Sequence, residues 1–333
     1  MSDAYLALDA GNSKTVALVV DGAGAVLGRG RGGNGDIYGA ASPQDAVQAV
    51  LAAVGAALAD AGLTAEHIVS AAFRIAGVDY PEDARYWEEH LRETLGAIGR
   101  WSILNDGFAS LRLIDGTGVG LSIAVGTGPA LAARSADGRE ECSGMFMFDD
   151  LGGGGLGNSA FAAVTQAWMG ISPPTALTAE LTSMFGVADA WHLRHAFTQR
   201  FGARPRSDLW RAARVVLAVA DAGDPVARQI VADQAEAFVR YARWCATRVG
   251  VELASGELPV LLNGSVATSE HPAMRDALRA ELARVAPAAT VSVALASPLC
   301  GVVLDALAEG GIDIGPELLA RVRDDHPDDF LMT

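Results

Sequence analysis

The sequence predicts an α/β protein of two lobes with a ligand cleft between them. Three observations carry that expectation. Strand-length apolar runs alternate with helix-length runs, and no low-complexity linker interrupts them. The chain holds 333 residues, half of them hydrophobic, with 38 glycines; that is enough for about two compact domains rich in tight turns. Two stretches, Tyr5 to Val20 and Leu121 to Arg134, repeat one pattern: an apolar strand, a turn of glycine and hydroxyl residues, and a second apolar strand. The expected lobes are 1–115 and 116–310, with the tail 311–333 a candidate addition to the first.

Each element has a local reason. Tyr5-Leu6-Ala7-Leu8 and Thr15 to Val20 read as buried strands flanking the turn Asp9-Ala10-Gly11-Asn12-Ser13-Lys14. Ser42-Pro43-Gln44-Asp45 opens a helix with a serine cap and proline at the first helical position, and Gly62 stops it. Ile68 to Ile75 is a buried strand, Ala84 to Gly96 a helix, and Trp101 to Leu104 a strand ending at Asn105-Asp106-Gly107. Leu121 to Val125 and Ala130 to Arg134 flank the turn Gly126-Thr127-Gly128-Pro129. Residues 151–250 read as mostly helical, with a long helix from Pro225 to Val249. Pro259 to Leu262 is a strand ending at Asn263-Gly264-Ser265, followed by a helix over Pro272 to Val285, a strand over Thr290 to Leu295 and a helix over Leu299 to Ala308. Pro316 to Val322 is a candidate helix on the first lobe, and 324–333 reads as mobile. In open α/β sheets the ligand loops gather at the carboxyl ends of the strands, where all these turns lie.

Composition excludes several classes. The formal charge of −15 repels phosphodiester backbones and anionic membranes, so nucleic acid and membrane are not expected partners. Asp3 and Asp9 interrupt the start, no basic segment precedes an apolar run, and no stretch approaches a bilayer span. The expectation is a soluble, cytoplasmic protein. Cys142, Cys245 and Cys300 stand alone without CxxC spacing, and His192 and His195 lack acidic or thiol company, which disfavours a structural metal site. Lys14 is the only lysine, all 24 other basic side chains being arginine, and it sits in a glycine turn beside Asp9. Such a turn can aim several backbone N–H groups at a phosphate, and the carboxylate can hold Mg²⁺ through water. It is not a Walker A loop, because a strand and not a helix follows the lysine.

Asp9 to Thr15, Asn105-Asp106, Gly126-Thr127-Gly128 and Leu262-Asn263-Gly264-Ser265-Val266 together resemble, in order and spacing, the motifs of an actin-like (ribonuclease H-like) sugar-kinase ATPase. Within that superfamily the chain is similar to the N-acetylglucosamine kinase and benzoyl-CoA-reductase-activator ATPase family. The stretches Arg74-Ile75-Ala76-Gly77-Val78-Asp79-Tyr80-Pro81-Glu82-Asp83 and Ser297-Pro298-Leu299-Cys300-Gly301-Val302-Val303 carry the closer likeness, which spans about residues 4 to 308.

The resemblance implies transfer of the ATP γ-phosphoryl group to a hydroxyl, chemistry that rests on positioning and charge neutralisation. In that frame Asp106 is the proton acceptor and Asp9 orders Mg²⁺ through water. Gly11, Asn12, Ser13, Lys14 and Thr15, with Gly126, Thr127 and Gly128, hold the phosphates. Gly264 and Ser265 lie under the adenosine. Asn34, Gly77 and Asp150 match acceptor-binding positions, with Asp149 an alternative to Asp150; a turn asparagine and a helix-start acid are the bland readings of Asn34 and Asp150. The implied partners are a sugar or amino sugar and a second copy in a homodimer.

The loop before Asp150 departs from the family. Ser143-Gly144-Met145-Phe146-Met147-Phe148, then Leu151 and four glycines, stand where the kinases carry Gly-Trp-Gly and an Asp-Glu-Gly-Ser-Gly stretch, and Pro129 replaces a serine. This leaves a free amino sugar, a cyclitol or a modified sugar open as acceptor beside N-acetylglucosamine. An ATPase activator of a redox enzyme, disfavoured by the isolated cysteines, and a non-catalytic sensor are the alternative functions.

Overall fold

A computed structural model of the chain describes residues 3–324. The first sheet contains β1 (Ala4–Ala10), β2 (Thr15–Asp21), β3 (Val26–Gly32), β4 (Ile68–Ile75) and β5 (Arg100–Asn105), ordered β3-β2-β1-β4-β5. Its first three strands form an antiparallel meander, and β4 and β5 run parallel to β1. The second sheet contains β6 (Gly120–Val125), β7 (Pro129–Arg134), β8 (Glu140–Cys142), β9 (Val260–Asn263) and β10 (Val291–Val293), ordered β10-β9-β6-β7-β8. It repeats the same plan, an antiparallel meander followed by two strands parallel to its first. The structure therefore contains one topology twice.

Helices α1 (Pro43–Ala61) and α2 (Pro81–Leu95) pack with the first sheet, where Trp87, Leu91, Val50 and Val54 join Leu6, Leu8 and Phe73 in one core. The second sheet is covered by α3 (Gly152–Trp168), α4 (Leu177–Phe185), α5 (Ala190–Thr198), α6 (Ala213–Asp221), α7 (Pro225–Arg248) and α8 (Ala273–Val285), which supply most of the largest core. The chain then returns: α9 (Pro298–Glu309) and α10 (Pro316–Asp324) pack on the first sheet, with Val302, Val303, Leu319 and Val322 against Tyr5, Val16 and Leu18. Residues 325–333, part of the tail expected to be mobile, lie outside the described residues. No helix among the described residues is long and apolar enough to cross a membrane.

Several elements differ from the sequence reading for physical reasons. Strand β3 escaped it because Gly28, Gly30 and Gly32 dilute the strand signal. Those alternate positions lie against α1, where a Cβ would stand 2.3 Å from Ala57 O, 1.8 Å from Ala53 O and 2.0 Å from Ala49 O. Strand and helix thus meet backbone to backbone, and the missing side chains are what permit it. Helix α2 begins at Pro81 and not at Ala84: Asp83 Oδ2 accepts the N–H groups of Asp79 (3.0 Å) and Tyr80 (2.8 Å) and caps the start.

Candidate active site

The carboxyl ends of β1, β4, β5, β6 and β9 surround a cavity of about 350 Å³. Its wall carries Asp9, Gly11, Asn12, Ser13 and Lys14 from the first hairpin, Gly77 and Asp79 after β4, Asn105 at the end of β5 and Asp106 just after it. The second hairpin contributes Gly126, Thr127, Gly128 and Pro129; Asn263 and Gly264 follow β9, and Pro298 opens α9.

Both hairpin turns are closed tightly. Gly11 N donates to Lys14 O (2.9 Å) and Gly126 N to Gly128 O (3.1 Å). The first three of the four glycines that begin α3 press against the second turn. Gly153 N donates to Gly126 O (2.8 Å) and Gly154 N to Thr127 O (2.9 Å), while a Cβ on Gly152 would stand 2.9 Å from Gly128 C. The glycine run that departs from the family motif is thus a close-packing device that braces the second turn. Gly264, at φ +86°, lies against the Val125 backbone, where a Cβ would approach within 2.6 Å.

The carboxylates are held from several directions. Asn105 Nδ2 donates to Asp79 Oδ1 (2.8 Å) while its Oδ1 accepts Gly107 N–H (2.8 Å), so one side chain orients Asp79 and starts the turn that bears Asp106. Asp36 reaches the wall from the loop after β3. Its backbone N–H bonds Asn34 Oδ1, and its Oδ1 accepts Tyr38 N–H, both at 2.9 Å. Gly77 has φ +77°, and a Cβ there would sit 2.3 Å from Asp36 Oδ1, so the position requires glycine twice over.

Four carboxylates and one ammonium make this cavity electronegative. Burial pushes Asp106 up to about 8, and the neighbouring charges of Asp9, Asp79 and Asp36 push in the same direction. Asp79 is raised to about 6 by burial and then by Asp83 and Asp36, against the Asn105 hydrogen bond. Asp9 also rises to about 6 by burial, although Lys14 opposes the shift; burial in turn lowers Lys14. A desolvated Asp9 carboxylate with incomplete charge compensation fits a cation. Among the described residues no three Asp, Glu, His or Cys side chains form a metal cage. That suits an ion which keeps waters and phosphate oxygens in its shell, as Mg²⁺ does.

Not every residue named from sequence lies on this wall. Thr15 is buried and its Oγ1 donates to Gly33 O (2.9 Å), tying the first hairpin to the loop after β3. Ser265 is exposed beside Gly264. Asn34 closes the turn that holds Asp36, and Asp150 is exposed, accepting from Asn158 Nδ2 (2.6 Å). Asp149 is engaged by Tyr241 OH (2.6 Å) and Arg240 (2.9 Å). Asp36 and Asp79 were given no role by sequence reasoning. The available signals were an acid two residues beyond Asn34 and the acid that follows Gly77-Val78.

The fold is similar to that of several solved structures. A protein provisionally named N-acetylglucosamine kinase from Chromobacterium violaceum superposes with a TM-score of 0.68 at 23% identity, covering 91% of this chain and 98% of that one. A second protein of that provisional name, from Porphyromonas gingivalis, gives 0.66 at 20% identity over 90% and 97%. A ROK family glucokinase from Streptomyces griseus, in complex with glucose and AMPPNP, gives 0.58 at 18% over 91% and 98%. No protein-family model matches the sequence, and no curated protein does. The likeness shows the two-lobed actin-like sugar-kinase fold.

Proposed function

We propose that this chain, which has the actin-like sugar-kinase fold, is an ATP-dependent kinase acting on a hydroxyl of a sugar, with an amino sugar as the favoured class. The observation that carries the reading is Asp106: an acid raised to about 8 faces both glycine hairpins and the only lysine across one cavity.

The backbone groups of Gly11 to Lys14 and of Gly126 to Gly128 hold the triphosphate, with the Lys14 ammonium against its anionic end. Gly264 lies under the adenosine, with Ser265 at its outer edge. Asp9 would hold Mg²⁺ through water, and that ion would neutralise charge on the phosphate oxygens. Asp106 takes the proton of the attacking hydroxyl as the new O–Pγ bond forms and the bond from Pγ to the ADP oxygen breaks, the electron pair leaving with ADP. Gly77 belongs to the acceptor side. Asn34 holds the Asp36 backbone N–H, and Asp150 stands outside the wall. A cation bound near Asp106 would lower its proton affinity and favour its role as the base.

Asp106→Asn should lower kcat by about 10²–10⁴-fold, measured as Mg·ATP- and sugar-dependent ADP release. Transfer within a few-fold of wild type would remove Asp106 as the base. ADP release that ignores sugars would sink the kinase reading in favour of an ATPase. An activator that shares an iron–sulfur cluster between subunits needs exposed thiolates. Cys245 and Cys300 are fully buried, and burial raises the Cys142 thiol to about 12.

A further inference from the structure

The acceptor side of the cavity carries more negative charge than phosphoryl transfer to a neutral sugar uses. Asp106 serves as base and Asp9 belongs to the metal and phosphate side, which leaves Asp36 and Asp79 unassigned. Neither takes part in an ion pair among the described residues. Asp36 is only 7% exposed, and its Oδ2 accepts no hydrogen bond from the described residues. A cation brought by a ligand would meet both carboxylates without a competing ion pair from the described residues.

The place is built. Three glycines from three loops let the backbone pack directly against these two carboxylates. A Cβ on Gly77 would stand 2.3 Å from Asp36 Oδ1, one on Gly39 2.9 Å from Asp36 Oδ2, and one on Gly144 2.6 Å from Asp79 Oδ1. Asn34 and the Tyr38 N–H fix Asp36; Asn105 fixes Asp79. The positions are therefore set before any ligand arrives. A compact organic cation with several N–H donors can engage both of these fixed carboxylates at once.

We infer that the acceptor carries a free, protonated primary amine, that Asp36 and Asp79 hold this ammonium, and that its reacting hydroxyl lies against Asp106. The inference rests on the kinase reading and narrows it: an N-acetylated sugar, whose amide is neutral, leaves both carboxylates uncompensated. The amine keeps its three protons throughout, and only the hydroxyl proton moves.

The test is Mg·ATP-dependent ADP release by the full chain with 2-amino hexoses (glucosamine, galactosamine, mannosamine), their N-acetyl forms and the parent hexoses. At least one free amine should exceed its N-acetyl and parent partners in kcat/KM by about 100-fold, as expected when a buried charge loses its counter-ion. Asp36→Asn and Asp79→Asn, each checked for an intact melting transition, should shrink that ratio by about tenfold or more. A neutral sugar equal to its amine would overturn the inference and leave the kinase standing. Stimulation by none of these acceptors would overturn the kinase reading and the inference with it. A strong amine preference untouched in both variants would remove Asp36 and Asp79 as its cause.

Discussion

Asp106 sits where the carboxyl ends of three parallel strands converge, and its ionisation is set by residues distant in sequence. Asp9 near the end of β1, and Asp79 and Asp36 in the loops after β4 and β3, bear on it, with Lys14 beyond Asp9. These raised acids link stability to pH. Native Asp9 and Asp79 bind protons more tightly than in the unfolded chain up to about pH 6, and Asp106 up to about pH 8. Their contribution is fully present below about pH 4 and is lost as pH rises through 6 and then 8. Acids shifted downward, such as Asp137 at about 2, act in the opposite direction but only below that window. The Mg²⁺-free protein should therefore melt several degrees lower at pH 8.5 than at pH 5.5, and Asp106→Asn should flatten that slope. A melting midpoint that rises with pH over this interval would contradict the electrostatic account.

At the scale of elements, close approach explains what hydrophobic periodicity does not. Strand β3 and helix α1 touch through Gly28, Gly30 and Gly32 against the backbone of Ala49, Ala53 and Ala57. The same helix carries Gly55 on its exposed side, where an added Cβ would meet nothing within 4 Å. Adding a methyl to these glycines should have opposite effects. Gly30→Ala must push strand from helix and should cost about 1–3 kcal/mol or more, whereas Gly55→Ala should stabilise by about 0.5–1 kcal/mol through helix propensity. Denaturant melts of the two variants would read this directly, and equal shifts would mean that the contact is not tight. The α3 glycines follow the same logic, with the second hairpin turn taking the place of a strand.

Across the whole molecule, Asp305 of α9 is a charge junction. It bonds Arg74 of β4 (2.7 Å) and Arg112 between the sheets (2.6 Å), and Arg134 of β7 lies 4.0 Å away. Arg74 and Asp305 are almost wholly buried, and Glu309 adds a second carboxylate to Arg74 (3.0 Å). Helix α9 also opens the cavity wall at Pro298, so the residues that tie strands of both sheets together lie on an element that reaches the site. Asp305→Ala leaves two arginines without their shared partner. It should destabilise by about 3–5 kcal/mol in thermal or denaturant unfolding. A loss under about 1 kcal/mol would show that Glu309 and water replace Asp305.

The sequence by itself determined the α/β class, the repeated strand–turn–strand pattern and the two glycine turns. It also singled out Lys14, because turn chemistry and helix caps are written in neighbouring residues; the Asn105-Asp106 pair drew notice through the family resemblance. Helix α1, with Ser42, Pro43 and Gly62 at its ends, is the clearest case. Tertiary structure alone decided the rest. Asp36 and Asp79 join the cavity only because loops from different strands meet there, and Gly28 to Gly32 form a strand because α1 covers them. Asp106 acquires its raised proton affinity from the company it keeps and not from its own segment. Burial and charge proximity are properties of residues brought together across the chain, which local pattern does not encode.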